Sequence, residues 1–270
     1  MIEKGFAYVV YGTQLRHYNE LVGSISSLLL HNPSAKVVVL AEMADFFSET
    51  EQVKVVKLDD TLKSEWLGES NYHFRLKLSG LRHILEKYVK TAIFLDTDTL
   101  VKKSIMHYFD EISTNQSVLH KLEGHLSKKR FSRQYENVLE QTFSHPVHGT
   151  YHISKVDPMY NSGFIGVEQS HLEMFEPVLW LMEEISQRIT FHTAEQFALG
   201  LFLQKKGNVL TVGDSTVYHY WHKKPRIFIH EELKRVITRY SVQELLESPH
   251  LSKHIKARRP FSRWLKDKTQ

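Results

Sequence analysis

The sequence predicts an α/β fold, a single domain built on a doubly wound, mostly parallel central sheet flanked by helices. Three observations predict it. Short apolar runs alternate with segments of helical periodicity over roughly the first hundred residues. The runs at 36–40 and 92–95 are apolar almost throughout, the pattern of strands covered on both faces. A hydrophobic content of 41% over 270 residues suits one large domain with a substantial core.

Residues 6–11 form the first strand, closed by Gly12 and Thr13. An amphipathic helix follows, with Leu15, Tyr18, Leu21, Val22, Ile25, Leu28 and Leu29 on one stripe. Pro33 ends it, and residues 36–40 make a second, buried strand. Residues 44–48 read as a short helical turn and 53–58 as a third strand, with Asp59 and Asp60 as a strand-end turn. Helical spacing of Leu78, Leu81, Ile84 and Leu85 spans 74–88 and leads into the strand that ends at Asp96. A β-α-β-α-β-α-β alternation of this kind pairs its strands in parallel, because each crossover returns the chain to the same edge.

Farther along, 105–112 reads as a short helix. Residues 119–154 are polar, carry His120, His125, His145, His148 and His152, and read as an excursion over the surface that suits an acceptor lid. Residues 163–167 form a strand, 172–189 and 194–205 helices, and 209–212 with 217–221 a small late β element. The domain is taken as 1–250, with a basic aromatic tail at 251–270.

Composition narrows the function. The sequence contains no cysteine, so disulfide and thiolate chemistry are excluded, which suits a cytoplasmic setting. The apolar runs are too short for a membrane span, and the first strand starts too early to leave room for a signal peptide. Between 253 and 268 the tail holds seven Lys/Arg against one acid, which leaves the rest of the chain at about −2 of the total +4. The body is therefore no basic nucleic-acid surface. Interleaved with Ile255, Phe261, Trp264 and Leu265, the tail reads equally as a peripheral membrane contact on the inner face or as a solvated terminus.

The apolar run 92–95 ends in Asp96-Thr97-Asp98, followed by a return to Leu100 and Val101. Ligands of open α/β sheets gather outside the carboxyl ends of the strands, where both aspartates would sit. Two oxygen donors at this spacing can share one hard divalent cation, and that cation can also hold a diphosphate. The pattern points to chemistry on a nucleotide-activated substrate.

Four further blocks follow in order. Phe74-Arg75-Leu76-Lys77 precedes the aspartates; Tyr160-Asn161-Ser162-Gly163, Ala194-Glu195-Gln196 and Tyr218-His219 with Lys224-Pro225 come after them. In order and approximate spacing, over about residues 6–228, the chain resembles the retaining glycosyltransferases related to glycogenin and to bacterial lipooligosaccharide galactosyltransferases. The resemblance implies a GT-A-type domain and a DXD metal site in which Asp96, Asp98 and His219 ligate Mn²⁺ or Mg²⁺. An imidazole in the set favours manganese. It also implies that Lys224 meets the donor diphosphate, with Lys223 able to share that role. The loop here is one residue shorter than in the family, and His222 stands where the family has glycine. Arg75 or Lys77 would reach the phosphate or sugar of the donor. Thr97, Asn161 and Ser162 would contact the substrate, and Gly163 would allow close backbone approach. Tyr11, Gly12 and Thr13 would edge the base and ribose. Glu195 and Gln196 replace an Asp-Gln pair near the anomeric centre and are the catalytic candidates. The extra methylene of Glu195 alters the sugar pocket, so the identity of the donor sugar does not carry over.

The function so implied is transfer of a sugar from a nucleoside-diphosphate sugar, a UDP-sugar foremost, to a hydroxyl of a cell-envelope glycan or glycolipid. The resemblance implies retention at the anomeric carbon; inversion with Glu195 or a histidine as base stays open. Two other classes are weighed against it. A sugar-phosphate nucleotidyltransferase would carry a Gly-rich loop after the first strand, where this chain has only Gly12. A non-catalytic binding protein on a degenerate fold has no need of Asp96, Asp98 and His219 together.

Overall fold

The computed structural model describes residues 1–68, 71–189 and 191–257. In chain order the first half comprises β1 (Ile2–Val10), α1 (Leu15–His31), β2 (Val37–Ala41), β3 (Val53–Lys57), α2 (Asp60–Leu67), α3 (Arg75–Lys87), β4 (Val89–Leu95), β5 (Thr99–Val101), α4 (Tyr108–Glu111) and β6 (Gln116–His125). The second comprises α5 (Lys129–Gln134), β7 (Thr142–His145), β8 (Gly149–His152), β9 (Pro158–Glu168), α6 (Phe175–Ser186), α7 (Ala194–Lys206), β10 (Asn208–Thr211), β11 (Val217–His219), α8 (Lys223–Arg239) and α9 (Val242–Glu247).

Seven strands form the central sheet in the order β10-β6-β9-β4-β1-β2-β3. All its pairings are parallel except those on either side of β9, which runs antiparallel to both β4 and β6. Strand alternation sends side chains to two cores. From β1, Ala7 and Val9 join one core with α3, α6 and α7, while Phe6, Tyr8 and Val10 join the other with α1, α8 and α9. Leu78, Leu81, Ile84 and Leu85 of α3 are fully buried on the first face, as their spacing requires. Each such side chain stabilises by about 1.5–3 kcal/mol. The α/β class and the mostly parallel, helix-flanked sheet expected from the sequence are both present.

Several local expectations change. The excursion at 119–154 is not wholly superficial: its start belongs to β6, inside the sheet, and His120 is completely buried. Only the later part, α5 and the β7–β8 hairpin, lies outside the sheet. Asp59 is a helix cap instead of a bare turn, its carboxylate accepting from Leu62 N of α2 at 2.9 Å. The helix expected at 172–189 is shorter, because residues 169–174 adopt a 3-10 turn ahead of α6. Leu15, placed on the buried stripe of α1, is 58% exposed, because it sits in the first turn beyond the edge of the core. At the other end, Ser252 and Ile255 are buried, so packing continues past residue 250. Tail residues 258–270 lie outside the described part. No helix among the described residues is long and apolar enough to cross a membrane.

Candidate functional site

The site forms where β4 ends. Leu95 is the last β4 residue, and Asp96 N donates to Gly163 O of β9 at 3.1 Å. Thr99 Oγ1 donates back to Asp96 O at 2.8 Å, closing the turn that presents both aspartates. The chain then enters β5, which pairs antiparallel with β11 so that Thr99 faces His219. That register carries His219 across 121 residues of sequence to Asp98: Nε2 stands 3.1 Å from Asp98 Oδ1 and 3.6 Å from Asp96 Oδ2. The three side chains offer ligand atoms within 4.8 Å of one another, so this group can hold a metal ion.

The surroundings fit that use. Asn161 Oδ1 accepts from Gly163 N at 3.0 Å, which identifies it as the oxygen of the amide. His219 Nδ1, 2.9 Å away, must then donate to it. This selects the tautomer in which Nε2 presents its lone pair toward the aspartates, as in imidazoles that bind a metal through one ring nitrogen while a neighbour holds the other. Space behind the ring is closed by backbone, since a Cβ on Gly163 would lie 2.3 Å from His219 Nδ1. A register irregularity between β6 and β9 falls in this same stretch, next to Asn161.

Charge is balanced tightly. Burial opposes ionisation of Asp98, yet His219 and then Arg226 outweigh it and hold its carboxyl below the usual range. Burial likewise opposes protonation of His219, and the Asp98 carboxylate reverses this, raising its pKa. Lys77, buried in α3, donates to Asp96 Oδ1, Ser162 O and Ser162 Oγ, each at 2.9 Å, and lies 3.3 Å from Glu195 Oε1. Desolvation would depress this ammonium, but Asp96 and Glu195 together raise its pKa. Glu195 accepts from Ser162 Oγ at 3.1 Å on Oε2. Its Oε1 has no partner beyond the Lys77 ammonium, and its pKa is raised, because burial and the nearby Asp96 outweigh Lys77.

These groups open onto one cavity of about 660 Å³. Of the residues expected from sequence, Tyr11, Lys77, Asp96, Thr97 and Asp98 line it, as do Asn161, Ser162, Glu195, Gln196 and His219. Burial first, then Asp96 and Glu195, push the Tyr11 phenol upward. Gly12 lies just beside the cavity in a left-handed conformation (φ 78°), its N–H donating to Glu42 Oε2 at 2.7 Å. Three expected residues stand apart. Thr13 is exposed, outside the lining. Arg75 turns away from the cavity to pair with Glu183 at 2.8 Å. Lys224 is exposed on the first turn of α8, and the α8 cation that faces the cavity is Arg226.

Arg226 belongs to a cluster the sequence reading missed. Glu20, fully buried in α1, receives two hydrogen bonds from Arg226 at 2.8 Å, with His17 at 3.2 Å and His230 in close contact. Arg226 Nη1 continues to Asp98 Oδ2 at 3.3 Å. The one available signal was an acid inside the apolar stretch of α1, flanked by Tyr18 and Leu21. Glu123, Arg130, Gln134 and Trp221 also line the cavity, with no sequence signal beyond lying in the histidine-rich excursion or next to His219.

No protein-family model matches the chain, and no curated protein matches it either.

Proposed function

We propose that the chain is a metal-dependent glycosyltransferase that moves a hexosyl group from a nucleoside-diphosphate sugar, a UDP-sugar foremost, to an acceptor hydroxyl on a glycan or glycolipid. The observation that carries this reading is the convergence of Asp96, Asp98 and His219, from two distant strands, on the wall of a cavity large enough for a nucleotide sugar. Mixed carboxylate and imidazole donors favour Mn²⁺ over Mg²⁺. When bound, the cation would supply Lewis-acid neutralisation of the departing diphosphate.

The remaining work falls to side chains of this protein. Lys77 places one positive charge between the aspartate pair and Glu195, where the donor's negative charge and its sugar would meet. Glu195, desolvated on the cavity wall with its Oε1 beside the Lys77 ammonium at 3.3 Å, is suited to accept a hydroxyl of the donor sugar or to face its anomeric carbon. Asn161 and Gly163 hold His219 in place, and the aromatic face of Tyr11 offers a surface for a base. Retention at the anomeric carbon is part of the proposal.

Incubation with a panel of nucleotide sugars, with Mn²⁺ or with EDTA, tests the reading. Slow Mn²⁺-dependent release of nucleoside diphosphate is expected from one donor, lost in Asp98→Asn. Proton NMR of the released sugar should show the anomeric configuration of the donor first. Release of pyrophosphate from nucleoside triphosphates in place of this, or no turnover of any donor with Mn²⁺ present, sinks it.

A further inference from the structure

The outer half of the cavity is chemically unlike the metal end. Trp221, immediately after β11, presents its indole to the cavity, and the Arg130 guanidinium lies 5.8 Å over that ring. Gln134, one turn farther along α5, also faces the cavity, and its Oε1 is buried with no hydrogen-bond partner. An aromatic face beside an unsatisfied amide oxygen is what a sugar ring requires: the apolar face stacks and a hydroxyl donates.

A second observation concerns charge. Residues 128–133 hold Lys128, Lys129, Arg130 and Arg133 with no acid among them, and the first turn of α8, next to Trp221, adds Lys223 and Lys224. Lys129, Arg130, Arg133, Lys223 and Lys224 are exposed, and among the described residues none of the six forms an ion pair with a carboxylate, Lys128 donating to the backbone Glu123 O at 3.0 Å. Elsewhere on the surface basic side chains are commonly paired, as Lys4 is with Asp110, Lys90 with Glu3 and Lys206 with Glu173. Trp221 stands where these two basic segments meet, with Arg130 against its ring and His222 stacked on it at 3.6 Å. Unpaired cations of one sign at a cavity mouth raise the local concentration of anions.

We propose that this mouth is the acceptor subsite and that it takes a saccharide bearing an anionic group, carboxylate or phosphate. The terminal sugar stacks on Trp221 and donates to Gln134 Oε1, and the anion is read by Arg130 with its basic neighbours. This rests on the glycosyltransferase reading for its role as acceptor site; saccharide binding itself does not need that reading.

The test uses the full chain on an array of matched neutral, carboxylated and phosphorylated oligosaccharides, with titrations of UDP plus Mn²⁺ in parallel. Wild type should retain the acidic sugars, more weakly as salt rises, and the carboxylated and phosphorylated arms decide which anion is read. Arg130→Gln and Trp221→Ala should each lower that retention by about tenfold or more, the scale of one charge-assisted hydrogen bond or one stacked ring, with UDP binding unchanged. Because Arg130 is exposed and Trp221 only half-buried, the variants should fold as wild type does, which circular dichroism verifies. Equal retention of neutral and acidic sugars, or acidic retention unaffected by both substitutions, overturns the proposal. Acidic retention lost in the variants while no donor is hydrolysed by wild type would leave the saccharide site standing and remove only the transferase reading.

Discussion

The Nδ1 atom of His219 lies 2.9 Å from Oδ1 of Asn161, and the Gly163 N–H on that same oxygen makes the imidazole the donor. From its motif Asn161 was expected to contact the substrate, donor or acceptor. Its amide oxygen serves His219 and approaches His120 Nδ1 at 3.1 Å, and its amide nitrogen donates to Glu123 at 3.2 Å, while the residue lines the cavity. An asparagine so engaged orients one side chain of the group that could hold a metal ion.

Replacement of Asn161 should therefore be felt at the metal. Asn161→Leu leaves His219 free to adopt either tautomer and is expected to weaken Mn²⁺ binding roughly 10- to 100-fold. Isothermal titration with Mn²⁺ and no nucleotide measures this. Asn161→Asp restores an acceptor at the same place and should recover much of the affinity. Unaltered Mn²⁺ affinity in the leucine variant would count against the assignment.

Lys77 is buried between two carboxylates, so its loss strands negative charge. Lys77→Met is expected to lower unfolding free energy by about 3 kcal/mol or more in urea titrations without metal. A double variant, Lys77→Met with Glu195→Gln, removes one of the stranded charges and should recover part of that loss. Simple additivity of the two substitutions would show that the ammonium and Glu195 are not coupled.

Glu20 links stability to acid. Burial alone would raise its pKa, but hydrogen bonds from His17, His230 and Arg226, with the Arg226 charge, outweigh burial and hold it well below the ordinary 4.5. A carboxyl depressed in the folded state adds stability that is complete above its unfolded pKa and is lost as pH falls toward the folded value. Glu20→Gln should therefore be less stable than wild type by roughly 3 kcal/mol near neutrality. The gap should narrow below about pH 4.5, by about 2 kcal/mol at pH 3, at 1.4 kcal/mol per pH unit. A gap of constant size from pH 7 to pH 3 would show that Glu20 is not ionised in the cluster.

Much of the scaffold could be read in advance because local patterns carry it. The apolar run 92–95, the stripe on α1 and the spacing in α3 each specify which faces are covered, and covering both faces of a strand demands helices on each side. The boundary errors lie where local pattern is weak. His120 was grouped with the polar stretch that follows it, yet Val118, Leu119 and Leu122 beside it mark an inner strand, and β6 lies between β9 and β10. The shortened α6 reflects a 3-10 turn whose periodicity differs little from that of an α-helix over six residues.

By itself the sequence determined the α/β class, the strand that leads into Asp96 and Asp98, and the spacing by which those two carboxylates could share a divalent cation. Those features follow from periodicity and from side-chain chemistry, which act over a few residues. Only the tertiary structure decided that β9 inserts antiparallel between β4 and β6, and that β5–β11 pairing brings His219 onto Asp98. It also decided that Arg226, clasped by the buried Glu20, faces the site that Lys224 was expected to serve. Such choices depend on register and crossing geometry between segments up to 206 residues apart, where one position of slip turns a side chain to the opposite face.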